Sequence, residues 1–98
     1  MNMQQIMAQA ERMKKDIMDK KNTLDGKDFQ GKSDWVTIDL KGSRKIKKVE
    51  ITNDDAFKIE NKEILCDMIL LAIKDGLEKI DKETEAVMGA YGNMGGLF

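Results

Sequence analysis

The sequence has no histidine and a single cysteine, Cys66. A disulfide framework within the chain is excluded, and so is a Cys/His zinc site. Without histidine, acid–base work would fall to carboxylates or lysine. No grouping of these residues suggests a catalytic constellation, so an enzyme is not expected. Asp54-Asp55 reads as a solvated turn or helix start. Asp25, Asp28 and Asp34 lack the spacing and the closing Glu of a calcium loop. Cys66, between Leu65 and Asp67 in an apolar stretch, reads as a small buried residue and not a nucleophile. There are five aromatics, none interleaved with basic residues, so a stacking platform for single strands is not expected. The longest apolar run, Met68 to Ile73, is far short of the roughly 20 residues of a membrane span. The N-terminal "MNMQQIMAQAERMKK" has no apolar core of the export type. The expectation is a reducing, cytoplasmic setting, with no cofactor, metal, membrane or small-molecule substrate.

What is present is charge, unevenly distributed. The chain has 98 residues, enough for one domain. A domain of this size buries about 60–70% of its unfolded surface, so the core is modest. We expect that domain over residues 1–88, with a mobile tail, "GAYGNMGGLF", over 89–98. Net charge is −1. Residues 1–52 hold twelve Lys/Arg against eight Asp/Glu, and residues 53–98 hold five against ten. Such asymmetry between halves is a partner signal. The basic residues concentrate in "KGSRKIKK", 41–48, with five cations in eight residues and no acid. Lys14, Lys15, Lys20 and Lys21 add more upstream, interrupted by Glu11, Asp16 and Asp19. Lysine and arginine clusters bind phosphate backbones without sequence readout. A lysine-rich edge strand that blocks aggregation is the competing reading.

Residues 3 to about 21 are rich in good helix formers. Met3, Ile6, Ala10, Met13 and Ile17 step by threes and fours, a narrow seam widened by Met7 and Met18. Lys20 interrupts the register. A helix this long exceeds what the remaining residues can cover, which suggests an arm packing partly on a second copy; a packed core helix is the alternative. "WVTIDL", 35–40, alternates as a strand. Gly42-Ser43 marks a turn. "KIKKVEI" makes a second strand, whose phase error between Ile46 and Val49 suggests a bulge near Lys47. A weaker strand falls within 24–32. Asn61 is a candidate N-cap for a strongly amphipathic helix over about 62–83. Gly76, within it, suggests close approach of another backbone. Thr84 to Met88 either continues this helix or starts a short separate one.

"GKDFQGKS", 26–33, fits the phosphate-loop pattern of many nucleotide hydrolases. That loop must follow a buried strand and open a helix whose amides hold the phosphates. Here the end of a helix precedes it and a strand follows it. Both flanks argue against nucleotide binding.

The order of these pieces resembles the YbaB/EbfC family of bacterial nucleoid-associated proteins. The matching stretches are "MNMQQIMAQAERMKK", "VTIDLKGSRKIKKVEI", "NKEILCDMILLAIKDGLEKI" and "GNMGGLF". Gly31 and Gly42 match glycines of the family pattern, and Leu65, Ile69, Ala72 and Leu77 match its apolar helix positions. The chain departs from the family at Lys32-Ser33-Asp34-Trp35, where a glycine-rich run is usual. The resemblance implies an α+β fold: long N-terminal helix, three-stranded antiparallel sheet, long second helix and short C-terminal helix, in an intertwined homodimer. It also implies binding to double-stranded DNA in the nucleoid, with roles in nucleoid organisation and gene expression. On charge, the candidate DNA-contacting residues are Arg12, Lys14, Lys15, Lys20, Lys21, Arg44, Lys45, Lys47 and Lys48. A scaffold dimer that binds proteins without touching DNA is the alternative, supported by the acidic second half.

Overall fold

The computed structural model describes residues 2–89. Helix α1 spans Met3–Gly26, β1 Asp28–Lys32, β2 Val36–Lys41, β3 Ile46–Ile51 and α2 Lys62–Met88, with two 3₁₀ turns at Asp54–Phe57 and Ile59–Asn61 before α2. The strands form one antiparallel sheet in the order β1-β2-β3. This is the expected α+β fold.

Helix α1 begins with a capping box: the Gln5 amide donates to the Asn2 side chain and the Asn2 amide to the Gln5 side chain. That satisfies two of the donors a helix start leaves open. The helix runs to Gly26, five residues beyond the expected end. The seam broken at Lys20 resumes at Leu24, seven residues after Ile17, and Leu24 is buried. Ile17 and Leu24 are the helix's two buried residues, and both lie in its second half.

Val36, Ile38 and Leu40 alternate with half-buried Thr37, Asp39 and Lys41 along β2. The three apolar residues are fully buried with Ala72 and Ile80 of α2, and these five form the core, with Phe29, Trp35, Leu65, Met68, Ile69, Ile73 and Leu77 packed around it. A Cβ on Gly31 would stand 1.9 Å from the Ala72 carbonyl and 2.6 Å from the Gly76 amide, so β1 and α2 touch backbone to backbone. The close approach expected at Gly76 is therefore made by Gly31.

That contact seats α2 over β1 and β2 and leaves β3 uncovered. Ile51, Val49 and Ile46 pair with Val36, Ile38 and Leu40, with a register shift between Asp39 and Leu40. Directly paired residues share a sheet face. The shift is the expected bulge at Lys47, and it brings Ile46 onto the face of Val49 and Ile51. Yet Ile46 is 47% and Val49 51% exposed. Three expectations change for related reasons. Cys66 is exposed, not buried, because it sits on the flank of α2 beyond the covered strands. Asn61 makes no side-chain cap; its side-chain Nδ2 donates to the Asp55 carbonyl and ties the two 3₁₀ turns together. Thr84–Met88 forms the last turns of α2, closed inward by buried Met88, and not a separate short helix. The expected tail, apart from Gly89, lies outside the described residues.

Candidate nucleic-acid interface

The candidate cations fall into two groups that the fold treats differently. The first sits at and after the β2–β3 turn. Gly42 lies against the end of α1, where a Cβ would meet the Leu24 carbonyl at 1.8 Å. The Gly42 amide donates to the Lys27 carbonyl and the Ser43 amide to the Asp25 carbonyl. The turn is therefore latched to α1, and Arg44 must take a φ of 72° to leave it. Non-glycine residues rarely adopt that left-handed region. The Arg44 guanidinium pairs with Asp81 of α2, so this side chain fastens the turn to the helix. Lys47 lies 3.7 Å from Asp28, which Lys41 also holds at 2.7 Å. The Asp28 carboxyl is pulled below its ordinary value chiefly by the Lys41 hydrogen bond, then by the charges of Lys41 and Lys47. Lys48 stands 3.8 Å from Glu50. Lys45 alone of the turn's candidates has no ion-pair partner among the described residues.

The second group lies on α1. Lys20 pairs with Asp16 at 3.2 Å and Lys21 with Asp25 at 3.1 Å, both at i,i+4 spacing. Arg12, Lys14 and Lys15 have no such partner among the described residues. At about 100° per residue, Arg12 and Lys15 share one side of the helix while Lys14 lies nearly opposite. The arm therefore carries its free charge around its girth and not as a stripe. The sequence could have revealed the i,i+4 pairs. It could not have revealed Asp81 opposite Arg44, or Asp28 opposite Lys47, because the fold alone brings them together.

The phosphate-loop pattern is accounted for by the same geometry. Gly26 ends α1, Gly31 lies inside β1, and the Ser33 hydroxyl donates to the Met68 carbonyl. The Lys32 amide donates to the Asp75 carboxylate at 2.9 Å. An amide already committed to a carboxylate does not cradle a phosphate. The flanks are the expected ones, a helix before the pattern and a strand after it.

Comparison with known proteins decides the family. The YbaB/EbfC DNA-binding family matches residues 1–96. The chain belongs to this family. A nucleoid-associated protein of Lactococcus lactis subsp. cremoris is 37% identical over 93 residues, covering 93% of each chain. A nucleoid-associated protein of Lactobacillus acidophilus is 34% identical over 93 residues, covering 93% of this chain and 83% of its own. The crystal structure of an uncharacterised Helicobacter pylori protein shares the fold with a TM-score of 0.74 at 20% identity, covering 97% of this chain and 99% of that one. In this YbaB/EbfC chain, no helix among the described residues is long and apolar enough to cross a membrane.

Proposed function

We propose that this YbaB/EbfC chain is a non-enzymatic protein that binds double-stranded DNA as a homodimer and resides in the nucleoid, where it affects nucleoid organisation and gene expression. The observation that carries the DNA contact is the set of cations on α1 ahead of Ile17 that have no ion pair among the described residues: Arg12, Lys14 and Lys15. The helix has no buried residue before Ile17, so this stretch projects from the core with its charges free. Lys45 extends the positive surface at the sheet turn. Arg44, Lys47, Lys48, Lys20 and Lys21 contribute less, because each faces a carboxylate.

Two features support the homodimer. The inner face of β3 exposes Ile46 and Val49, and the adjoining flank of α2 exposes Leu70 at 65%. The α1 seam exposes Met3, Ile6, Met7 and Met13 as well. Fully burying one such side chain is worth roughly 1.5–3 kcal/mol, so a second copy seated on these faces gains several of these. The Cα radius of gyration is 19.3 Å. A compact domain of this length has about 13 Å, so the single chain is drawn out in the manner of a subunit.

The test is fluorescence anisotropy of a labelled duplex between 50 and 200 mM salt. Binding weakens with salt by about 0.9 log units per log salt for each phosphate neutralised. The variant R12Q/K14Q/K15Q weakens binding and flattens that slope while the oligomeric state is unchanged. Salt-independent binding, or an unaffected variant, refutes the placement. The neutralised turn favours a second reading, a scaffold dimer without DNA contact. It predicts no anisotropy change at micromolar dimer.

A further inference from the structure

A third group of cations forms where the charge count alone predicts none. The second half of the chain is acidic, five cations against ten acids. Three of those five nevertheless gather beside β1. Two shallow depressions run between the β1 edge and α2. One is lined by Lys27, Lys32, Lys79 and Lys82 with Asp28 and Glu83. The other is lined by Lys32 and Lys74 with Asp34, Asp75 and Glu78. Lys32 belongs to both, so they form one groove.

The groove is built and not merely decorated. Lys79 donates to the Gln30 carbonyl at 2.9 Å, and the Lys32 amide donates to Asp75 at 2.9 Å. Side chains of α2 thereby occupy the open backbone of the edge strand, and the edge is closed to another strand. Lys27 is held by Glu83 at 2.7 Å. Asp75 is spent on Lys79, 2.9 Å away, and on the Lys32 amide. The Nζ groups of Lys32, Lys74 and Lys82 are left without a carboxylate partner among the described residues. All three side chains are exposed. Both depressions adjoin β1, at the opposite edge of the sheet from β3, whose inner face is assigned above to a second copy. The part of the groove lined by Lys32 and Lys82 therefore lies away from that face, while Lys74, one helical turn from Leu70, borders it.

We infer that the β1–α2 groove is a second track for the phosphodiester backbone of duplex DNA, contacted by Lys32, Lys74 and Lys82. The inference rests on the DNA reading given above. Each lysine meets a phosphate oxygen as a point charge, so the track carries affinity and no sequence information. Asp34 and Glu78, on the same groove, oppose it.

The experiment compares the full chain with K32Q/K74Q/K82Q and with E78Q, using the same labelled duplex and salt series. Each lost phosphate contact lowers the magnitude of the log–log salt slope by about one, so the triple variant loses about three. E78Q removes a repulsive charge and binds more tightly. A gain of affinity cannot come from misfolding. Circular dichroism keeps both variants within a few degrees of the wild-type melting temperature, because none of the four side chains makes a direct ion pair among the described residues and Lys82 acts on Asp75 only as a distant charge. A wild-type chain that does not bind duplex at all overturns the DNA reading and the track with it. Wild-type binding with an unchanged slope in the triple variant, or no gain in E78Q, overturns the track alone.

Discussion

Replacing Gly31 by alanine tests the contact on which the rest of the fold depends. The new Cβ would lie 1.9 Å from the Ala72 carbonyl oxygen, 2.6 Å from the Gly76 nitrogen and 2.9 Å from the Gly76 Cα. All three atoms are backbone, so no side chain can rotate away. Either β1 lifts from α2 or the helix shifts. Both movements strain the bonds that flank the contact: Ser33 to Met68, Lys32 to Asp75 and Lys79 to Gln30. Overpacking a tight core costs about 1–3 kcal/mol, and a clash with rigid backbone belongs at the upper end. In a domain of this size each kcal/mol moves the melting temperature by roughly 4–8 °C, so a loss of about 3 kcal/mol lowers it by about 12–24 °C. Two other glycines calibrate the result. At Gly76 the Cβ meets the flexible Leu40 Cδ1 at 2.5 Å and the Gly31 Cα at 3.3 Å. Alanine there also gains about 1 kcal/mol of helix propensity, so G76A loses much less than G31A. At Gly26, which ends α1, a Cβ meets nothing within 4 Å, and G26A is neutral to slightly stabilising. Thermal and urea unfolding followed by circular dichroism, at one fixed chain concentration, ranks the three. G31A within about 0.5 kcal/mol of wild type, the range of unremarkable surface changes, refutes the backbone-contact argument.

Further outcomes follow from the same geometry. Val49→Asp places a charge on the uncovered inner face of β3; light scattering then gives a mass near the 11.1 kDa of one chain, while wild type gives twice that. A variant that stays at the wild-type mass contradicts the assigned dimer face. The Asp75 carboxyl is held below its ordinary value of 3.8, first by the Lys79 hydrogen bond and then by the Lys32 amide. Its stabilisation is complete above that ordinary value and is lost as pH falls through the lowered folded value. D75N therefore has a flatter acid limb than wild type in urea midpoints measured from pH 5 to 2, and parallel limbs count against the role. Arg44→Gln frees Asp81 and loosens the β2–β3 turn, so amide exchange at 42–45 quickens while the salt slope of DNA binding changes by less than one. A drop of one or more identifies Arg44 as a phosphate contact after all. Magnesium nucleotide leaves the melting temperature unchanged, and a shift of several degrees would restore the phosphate-loop reading of 26–33.

The helices and strands were legible because their signals are local. The three-four seam of α1, the alternation of 35–40 and the stripe from Ile64 to Ile80 each depend on neighbours within one element. Even the bulge could be read, since Ile46 and Val49 fall out of phase under strict alternation. What could not be read depends on where elements meet. Leu24 extended α1 only because the β2–β3 turn latches beside it. Cys66 was expected to be buried because its sequence neighbours are apolar. A helix seated on two strands of three leaves one flank bare, and no window along the chain shows which strands it will choose. Gly76 announced a close approach, but its partner Gly31 stood inside a pattern that pointed to phosphate. There the glycine serves helix packing, and the following lysine's amide is held by a carboxylate.

The candidate site was legible to a lesser degree, because a charge count does not record pairing. Of the seventeen cations, nine lie within 4 Å of a carboxylate among the described residues. The densest run, 41–48, has five cations, and four of them are in such pairs. A polyanion approaching that run meets Asp28, Asp81 and Glu50 together with the lysines, and exposed pairs of this kind attract it weakly. The field that remains comes from the cations left over. On the described residues seven of these eight gather on α1 ahead of Ile17 and along the β1–α2 groove, with Lys45 at the sheet turn, and Lys62 stands apart at the start of α2. The basic first half and the acidic second half of the sequence thus do not divide the surface of the protein. The half assigned to DNA by its composition neutralises much of its own charge, and the half excluded by its composition supplies two of the three free lysines in the groove.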